Sequence, residues 1–456
     1  MKRYLTLLLT IFTILLAACG SGGGSSSGGS SGTSGGAQQG LSGATSFIDC
    51  PANTNTTAAA PESGTITLTV SGFSSSPAED ALVKANLDKF TQAHPNIKLN
   101  WAPITGDYAV KMRANVASGT VPDVFYLSPA MSSEFITNGK ALNLSPYMAK
   151  DSVPASDYYP ALLSPFSCKN GQVFGLPKDW NSLGVFYNKT MFQAAGLQFP
   201  GANWTWDDML TDAKKLTHDT NNPAKVIYGI TLPADASRWA AFLFAAGGSV
   251  LNKDGTQAAF DNQAGIDSLK FYASFQKQHA GALPTQVGAG WAGDAFGKQK
   301  AAMALEGGWL IPYMTSTFPN VQYDIAPVPV DPTTGKRADL IYTNAWSAYS
   351  GTKHPEAAWE LIKYMTGKDV QESQLNAGFA LPTLKSLANA PYFTQHPGFK
   401  VLFDAANYSY ADYYGPKDTI IHDRLQKAIE KVLLGKADEQ TALKDAAAQV
   451  NNELGA

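Results

Sequence analysis

Apolar and polar residues alternate through Thr65-Ile66-Thr67-Leu68-Thr69-Val70, and this period of two predicts a strand. Gly72 to Pro77 reads as a turn of small residues. From Ala78 onward, Leu82, Val83, Leu87 and Phe90 recur at helical spacing. His94-Pro95-Asn96 stops that helix. Ile97 to Trp101 predicts a second strand, Asp107 to Ser118 a helix ended by Gly119, and Val124 to Leu127 a short apolar strand. The order β-α-β-α-β implies a parallel sheet covered by helices. A second α/β segment starts at Gly184, with a strand at Val185-Phe186-Tyr187. It continues in a helix from Trp206 to Leu216, for which Thr205 is a good N-cap. Asn252-Lys253-Asp254-Gly255 has hairpin-turn chemistry. Ala264 to His279 and Ala295 to Lys300 are expected to be helical, as are Pro355 to Met365, Asp418 to Leu434 and Glu439 to Leu454.

The N-terminal pattern differs. Lys2-Arg3 precede an apolar run from Tyr4 to Leu16, and Leu16-Ala17-Ala18-Cys19-Gly20 follow. A basic start, an apolar run and small residues describe a secretory signal. The cysteine after them resembles a bacterial lipobox, which implies cleavage after residue 18 and lipidation of Cys19. A transmembrane helix is disfavoured, because the run falls short of the ~20 apolar residues a bilayer needs. Gly and Ser dominate from Gly20 to Ser46, so residues 19–62 are expected to form a flexible tether. About 40 such residues span roughly 35 Å on average.

The chain has 456 residues, 44% apolar and 16% charged, which suits a globular protein of two or three domains. Its net charge is -3; without Lys2 and Arg3, 32 basic residues face 37 acidic ones, giving -5. A mildly acidic chain with no long basic run argues against nucleic acid as a partner. Cys50 and Cys168 remain beside Cys19, and an oxidising compartment would permit a disulfide between them.

Motifs for common chemistries fail in context. Gly28-Gly29-Ser30-Ser31-Gly32 matches a nucleophile elbow but has no strand before it or helix after it. Gly288-Ala289-Gly290-Trp291-Ala292-Gly293 matches the dinucleotide glycines but follows no strand, and Trp291 would crowd a pyrophosphate. The six histidines have no metal spacing. Neither a metal nor a cofactor is expected.

Four local patterns together resemble the extracellular solute-binding proteins of ABC importers, in the large family that binds sugars. The first runs from Phe90-Thr91-Gln92-Ala93-His94-Pro95-Asn96-Ile97 to Ala117-Ser118-Gly119-Thr120-Val121-Pro122-Asp123-Val124. The second is Gly184-Val185-Phe186-Tyr187-Asn188-Lys189, then Ala195-Gly196-Leu197 and Asn203-Trp204-Thr205-Trp206-Asp207-Asp208. The third is Phe296 to Met303 running into Glu306-Gly307-Gly308-Trp309, and the fourth is His354-Pro355-Glu356-Ala357-Ala358-Trp359. The resemblance implies an α/β, two-lobe, type II periplasmic-binding-protein-like fold with several crossovers. One lobe would hold 64–181 and 346–394, the other 184–344 and 397–456. The crossovers would lie near Asn181-Ser182, Thr343-Asn344-Ala345 and Pro397.

The resemblance also implies the site. Ser74, Ser75 and Ser128 follow strands at the edge where ligand is expected, and their hydroxyls suit sugar hydroxyls. Asp179, Trp180 and Asn181 precede the first crossover, and Asn344 and Trp346 flank the second. Trp239 and Gly247 bracket an apolar run, and Tyr413 and Tyr414 precede the helix near Asp418. Trp309 is the strongest candidate: glycines before it allow close approach, and an indole stacks on a pyranose face. Arg238 would matter only for an acidic ligand. The implied protein is a non-enzymatic, monomeric lipoprotein on the extracellular face of the membrane. It would touch the membrane through its lipid alone, capture a mono- to oligosaccharide and hand it to an ABC permease. Alternatives are another solute on the same fold (ferric iron through Tyr413-Tyr414, a polyamine, glycerol phosphate) or a secreted carbohydrate-active enzyme with paired carboxylates.

Overall fold

The computed structural model describes residues 46–52, 54–74, 77–222 and 225–455. The expected signal segment, Cys19 and Ser75 lie outside the described residues.

Ten strands form the sheet: β1 (Ile66–Ser71), β2 (Ile97–Trp101), β3 (Val124–Leu127), β4 (Leu176–Asn188), β5 (Tyr228–Thr231), β6 (Gly281–Ala282), β7 (Ala301–Gly307), β8 (Tyr323–Ala326), β9 (Asp339–Ala348) and β10 (Ser409–Ala411). Their order is β2-β1-β3-β9-β4-β7-β5-β6, with β8 on β4 and β10 on β9. At one end β1 pairs in parallel with β2 and β3, and at the other β5 pairs in parallel with β6 and β7. In the middle, β9 runs antiparallel to both β3 and β4.

The apolar faces of this sheet supply two separate cores. The first gathers Leu68, Val70, Leu87, Phe90, Phe125, Phe135, Trp346 and Trp359. The second gathers Val185, Trp206, Trp239, Leu269, Leu305, Ile429 and Leu443. β4 begins at Leu176 in the first core and continues to Val185 in the second; β9 crosses back from Leu340 to Trp346. The register from Leu176↔Trp346 to Ser182↔Ile341 makes the pair a two-stranded bridge between lobes, with a bulge between Pro177 and Asp179. A third cluster, including Trp180, Phe186, Leu402 and Phe403, fills the space beside that bridge.

Helix boundaries follow local chemistry. The Asp107 side chain accepts from Val110 N–H at the start of Tyr108–Ser118, and Gly119 closes it in the left-handed region. Thr205 and Asp208 form a reciprocal capping box on Trp206–Leu216. Among the described residues, no helix is long and apolar enough to cross a membrane.

Part of the expected tether is instead bound to the body. Ile48 is fully buried and bridges to Cys168, whose sulfur is bonded to Cys50. The Asn55 side chain exchanges hydrogen bonds with the Asn143 backbone, and Glu62 pairs with His354. The reason is compositional: Phe47, Ile48 and Cys50 give this stretch apolar anchors that the Gly/Ser tract lacks.

Candidate functional site

A cavity of about 1070 Å³ opens between the lobes. Pro77, Glu79 and Phe379 line it from the first lobe, Trp291, Trp309 and Tyr313 from the second, and His396 and Phe399 from the connection between them. Its wall thus combines aromatic rings with aliphatic and polar groups, which is the make-up of a small-molecule site.

Trp309 is placed by the end of β7. A Cβ on Gly307 would lie 2.3 Å from the indole ring, and one on Gly308 would lie 2.4 Å from Asn181 Oδ1. Only glycines allow both approaches. The Trp309 Nε1–H donates to Glu306 Oε2 at 2.9 Å, which fixes the ring's azimuth. Glu306, at 1% exposure, also receives Arg238 Nη2 at 2.6 Å. Arg238 is held further by Leu305 O and by Asp235 at 3.3 Å. Burial pushes the Glu306 carboxyl up, against the pull of Arg238. Tyr342 stands edge-on to Trp309, with centroids 5.3 Å apart.

A second polar group flanks this arrangement. Ser237 donates to Asp412 Oδ2 at 2.7 Å, and His422 Nε2 lies 3.3 Å from Asp412 and 3.6 Å from Asp418. Burial pushes Asp418 up to about 6. It would depress His422, but Asp412 and Asp418 outweigh it and hold the imidazole above its usual value.

On the first lobe, Lys178 is buried beside Asp179 and 3.5 Å from Glu79, with its ammonium 4.9 Å from the Tyr126 ring centroid. Burial alone would lower its pKa; Asp179 reverses the shift. Lys178 stands directly behind the cavity wall formed by Glu79, and no local pattern singles it out as a site residue beyond the Lys-Asp pair directly before the crossover.

The expected site residues separate into groups. Trp309 lines the cavity, and Asn181 touches its glycine support. Asp179 and Asn344 face each other in the β4–β9 register, both half-buried. The Ser74 hydroxyl bonds Asp80, three residues from the cavity-lining Pro77, and Ser128 occupies the N-cap of Pro129–Thr137. Three tryptophans are core residues instead. Trp180 is fully buried and donates to Pro382 O at 2.8 Å; Trp239 is fully buried and donates to Ser268 at 3.1 Å; Trp346 is fully buried against Tyr126. Gly247 is an exposed glycine with φ 80° that ends the helix Ala236–Ala245, away from the cavity lining. Tyr413 and Tyr414 are buried in the first and second cores respectively, so their phenols do not form a pair.

Comparison with known proteins agrees with this architecture. A family model described as bacterial extracellular solute-binding protein matches residues 74–372. A Brucella abortus protein named only as a binding protein is 26% identical over 407 residues, covering 86% of this chain and 94% of its own. The galactooligosaccharide-binding protein of Bacillus subtilis is 22% identical, covering 75% of this chain and 79% of its own. Among solved structures, an ABC substrate-binding protein from Listeria monocytogenes in complex with cycloalternan superposes with a TM-score of 0.76 at 23% identity. It covers 86% of this chain and 99% of its own.

Proposed function

The chain belongs to the bacterial extracellular solute-binding proteins, and from that premise we propose that it captures a carbohydrate between its lobes and delivers it to an ABC permease. The observation that carries this reading is Trp309, presented on the cavity wall and locked in azimuth by Glu306. An indole held this way stacks on the apolar C–H face of a pyranose, while Glu79, Asp324 and Gln395 supply polar contacts on the cavity wall. Micromolar capture needs about 8 kcal/mol net, within reach of stacking plus a few buried hydrogen bonds.

Charge disfavours an anionic ligand such as glycerol phosphate. Arg238 is committed to Glu306 and Asp235, and Lys178 to Asp179 and Glu79. Ferric iron is disfavoured by the separation of Tyr413 from Tyr414. The leader through residue 18, lipidation of Cys19 and the tether give the proposed setting: an extracellular binder kept near its permease by raised effective concentration.

The test is a thermal-shift screen of the purified protein against mono-, di- and oligosaccharides, with a polyamine, ferric citrate and glycerol phosphate as controls. A saccharide is expected to raise the melting temperature. A shift with one of the controls and with no saccharide would overturn the reading.

A further inference from the structure

The segment that links the Gly/Ser tract to the body touches both lobes. On one side it is fastened to the first lobe: Ile48 is fully buried in that core, Lys169 N–H donates to Ile48 O at 2.8 Å, and the Cys50–Cys168 disulfide makes the attachment covalent. Successive side chains of an extended segment point to opposite faces. Phe47, next to the buried Ile48, packs at the rim of the first core, 6.4 Å from the Tyr413 ring, and reaches the second lobe as well. Its ring covers Gly255, in the turn between Leu251 and Ala258, where a Cβ would lie 3.1 Å from Phe47 Cδ1. Its own Cβ would lie 3.1 Å from one built on Gly415, ahead of the helix Asp418–Leu433. Both glycines have positive φ and bare backbone, so they form a shallow seat that a side chain would fill. Neither Phe47 nor its seat lines the cavity.

We propose that residues 46–50 are a strap that sets the resting arrangement of the two lobes, and through it the affinity of the cleft. The proposal rests on the reading that the lobes turn about the β4–β9 bridge to enclose a solute. The strap is bonded to the first lobe and cannot follow the second when the lobes turn, so the Phe47 contacts with Gly255 and Gly415 are made in one arrangement and lost in another, while those with the first core persist. A contact of that kind shifts the equilibrium between arrangements. Apparent affinity scales with the fraction of molecules in the competent state.

The experiment uses the full mature protein, with spin labels carried by non-natural residues at Lys98 and Lys431, both exposed and one on each lobe. Interlobe distance distributions are measured without ligand for the wild type, Phe47→Ala and Phe47→Leu, and Kd is measured for the saccharide that gives the largest thermal shift. Phe47→Ala is expected to move the ligand-free distribution and to change Kd at least threefold, with Phe47→Leu between it and the wild type. Cys50→Ser/Cys168→Ser should move the distribution in the same direction as Phe47→Ala. A Phe47→Ala distribution that superposes on the wild type would refute the strap, as would a Kd unchanged within twofold. If no saccharide binds, the carbohydrate reading fails by itself, and the ligand-free distances alone decide the strap.

Discussion

Tyr413 and Tyr414 are joined by one peptide bond and pack into different lobes. Tyr413 is 2% exposed among residues of the first core, and Tyr414 is 4% exposed in the second. Tyr413 lies 6.4 Å from Phe47, and Tyr414 lies 5.1 Å from His422, centroid to centroid. The connection from β10 to the helix Asp418–Leu433 is thus a further point at which the chain straddles the lobes. It draws Tyr413 out of the segment that the sequence placed in the second lobe.

The contrast between Trp309 and Trp239 makes a first test. Trp309→Ala should weaken saccharide binding at least tenfold in calorimetry, because it removes the exposed stacking face. Trp239→Ala should instead cost about 3–5 kcal/mol of stability, the usual range for emptying a large aromatic from a core. Its folded fraction should keep the wild-type Kd within twofold. A tenfold loss of affinity on Trp239→Ala with stability intact would reverse the assignment of the two residues.

Glu306 supports both Trp309 and Arg238, so its loss should be felt twice. Glu306→Leu leaves the Arg238 guanidinium buried with Asp235 as its remaining carboxylate partner, at about 3 kcal/mol, the low end for breaking a buried pair. Chemical denaturation reads that term. Tryptophan emission of the ligand-free protein should change as well, since the indole N–H loses its acceptor.

Stability should fall as pH rises from about 4 to 8. Burial raises Asp418 from 3.8 to about 6, so the folded state holds a proton that the unfolded chain releases, and stability drops between those two values. His422 sits above its usual 6.5 because Asp412, Asp418 and Asp235 outweigh its burial, so its contribution is lost as pH climbs beyond 6.5 through the raised value. Melting temperatures at pH 5, 6, 7 and 8 should descend in that order. His422→Gln should remove the imidazole's own contribution to the descent and, because the imidazolium holds Asp418 down, shift the Asp418 part to higher pH. An ascending series would contradict the assignment.

Removing the disulfide should destabilise the protein by about 2–4 kcal/mol, since it closes a loop with a sequence separation of 118 residues in the unfolded chain. Melting with and without a thiol reductant measures this. Equal melting temperatures would show that the bond contributes nothing to the fold.

Much of the architecture was legible from pattern. The spans Pro355–Met365 and Glu439–Leu454 appear as helices with the expected bounds, because their apolar stripes and end signals agree. The apolar pattern marks only three residues of β4, which has 13. Lys178, Asp179 and Asn181 interrupt its apolar run, and what keeps it extended is backbone pairing with β9, far away in sequence. The tryptophans show the same limit. Trp180, Trp239, Trp309 and Trp346 are alike in kind, and burial depends on contacts that no local window contains. Only Trp309 carried a local mark, the two glycines that its indole requires.

The β4–β9 bridge also limits how the molecule can deform. Slipping the ladder by one residue would turn every side chain to the opposite face, expelling Trp180 and Trp346 from their cores. Translation of one lobe past the other is therefore barred. A bulge, by contrast, bends and twists a strand while the rest of the ladder holds, and the irregularity at Pro177/Asp179 sits at the first-lobe end of the bridge. The low-energy deformation is a torsion about a two-stranded ribbon, so relative motion of the lobes is a rotation rather than a slide.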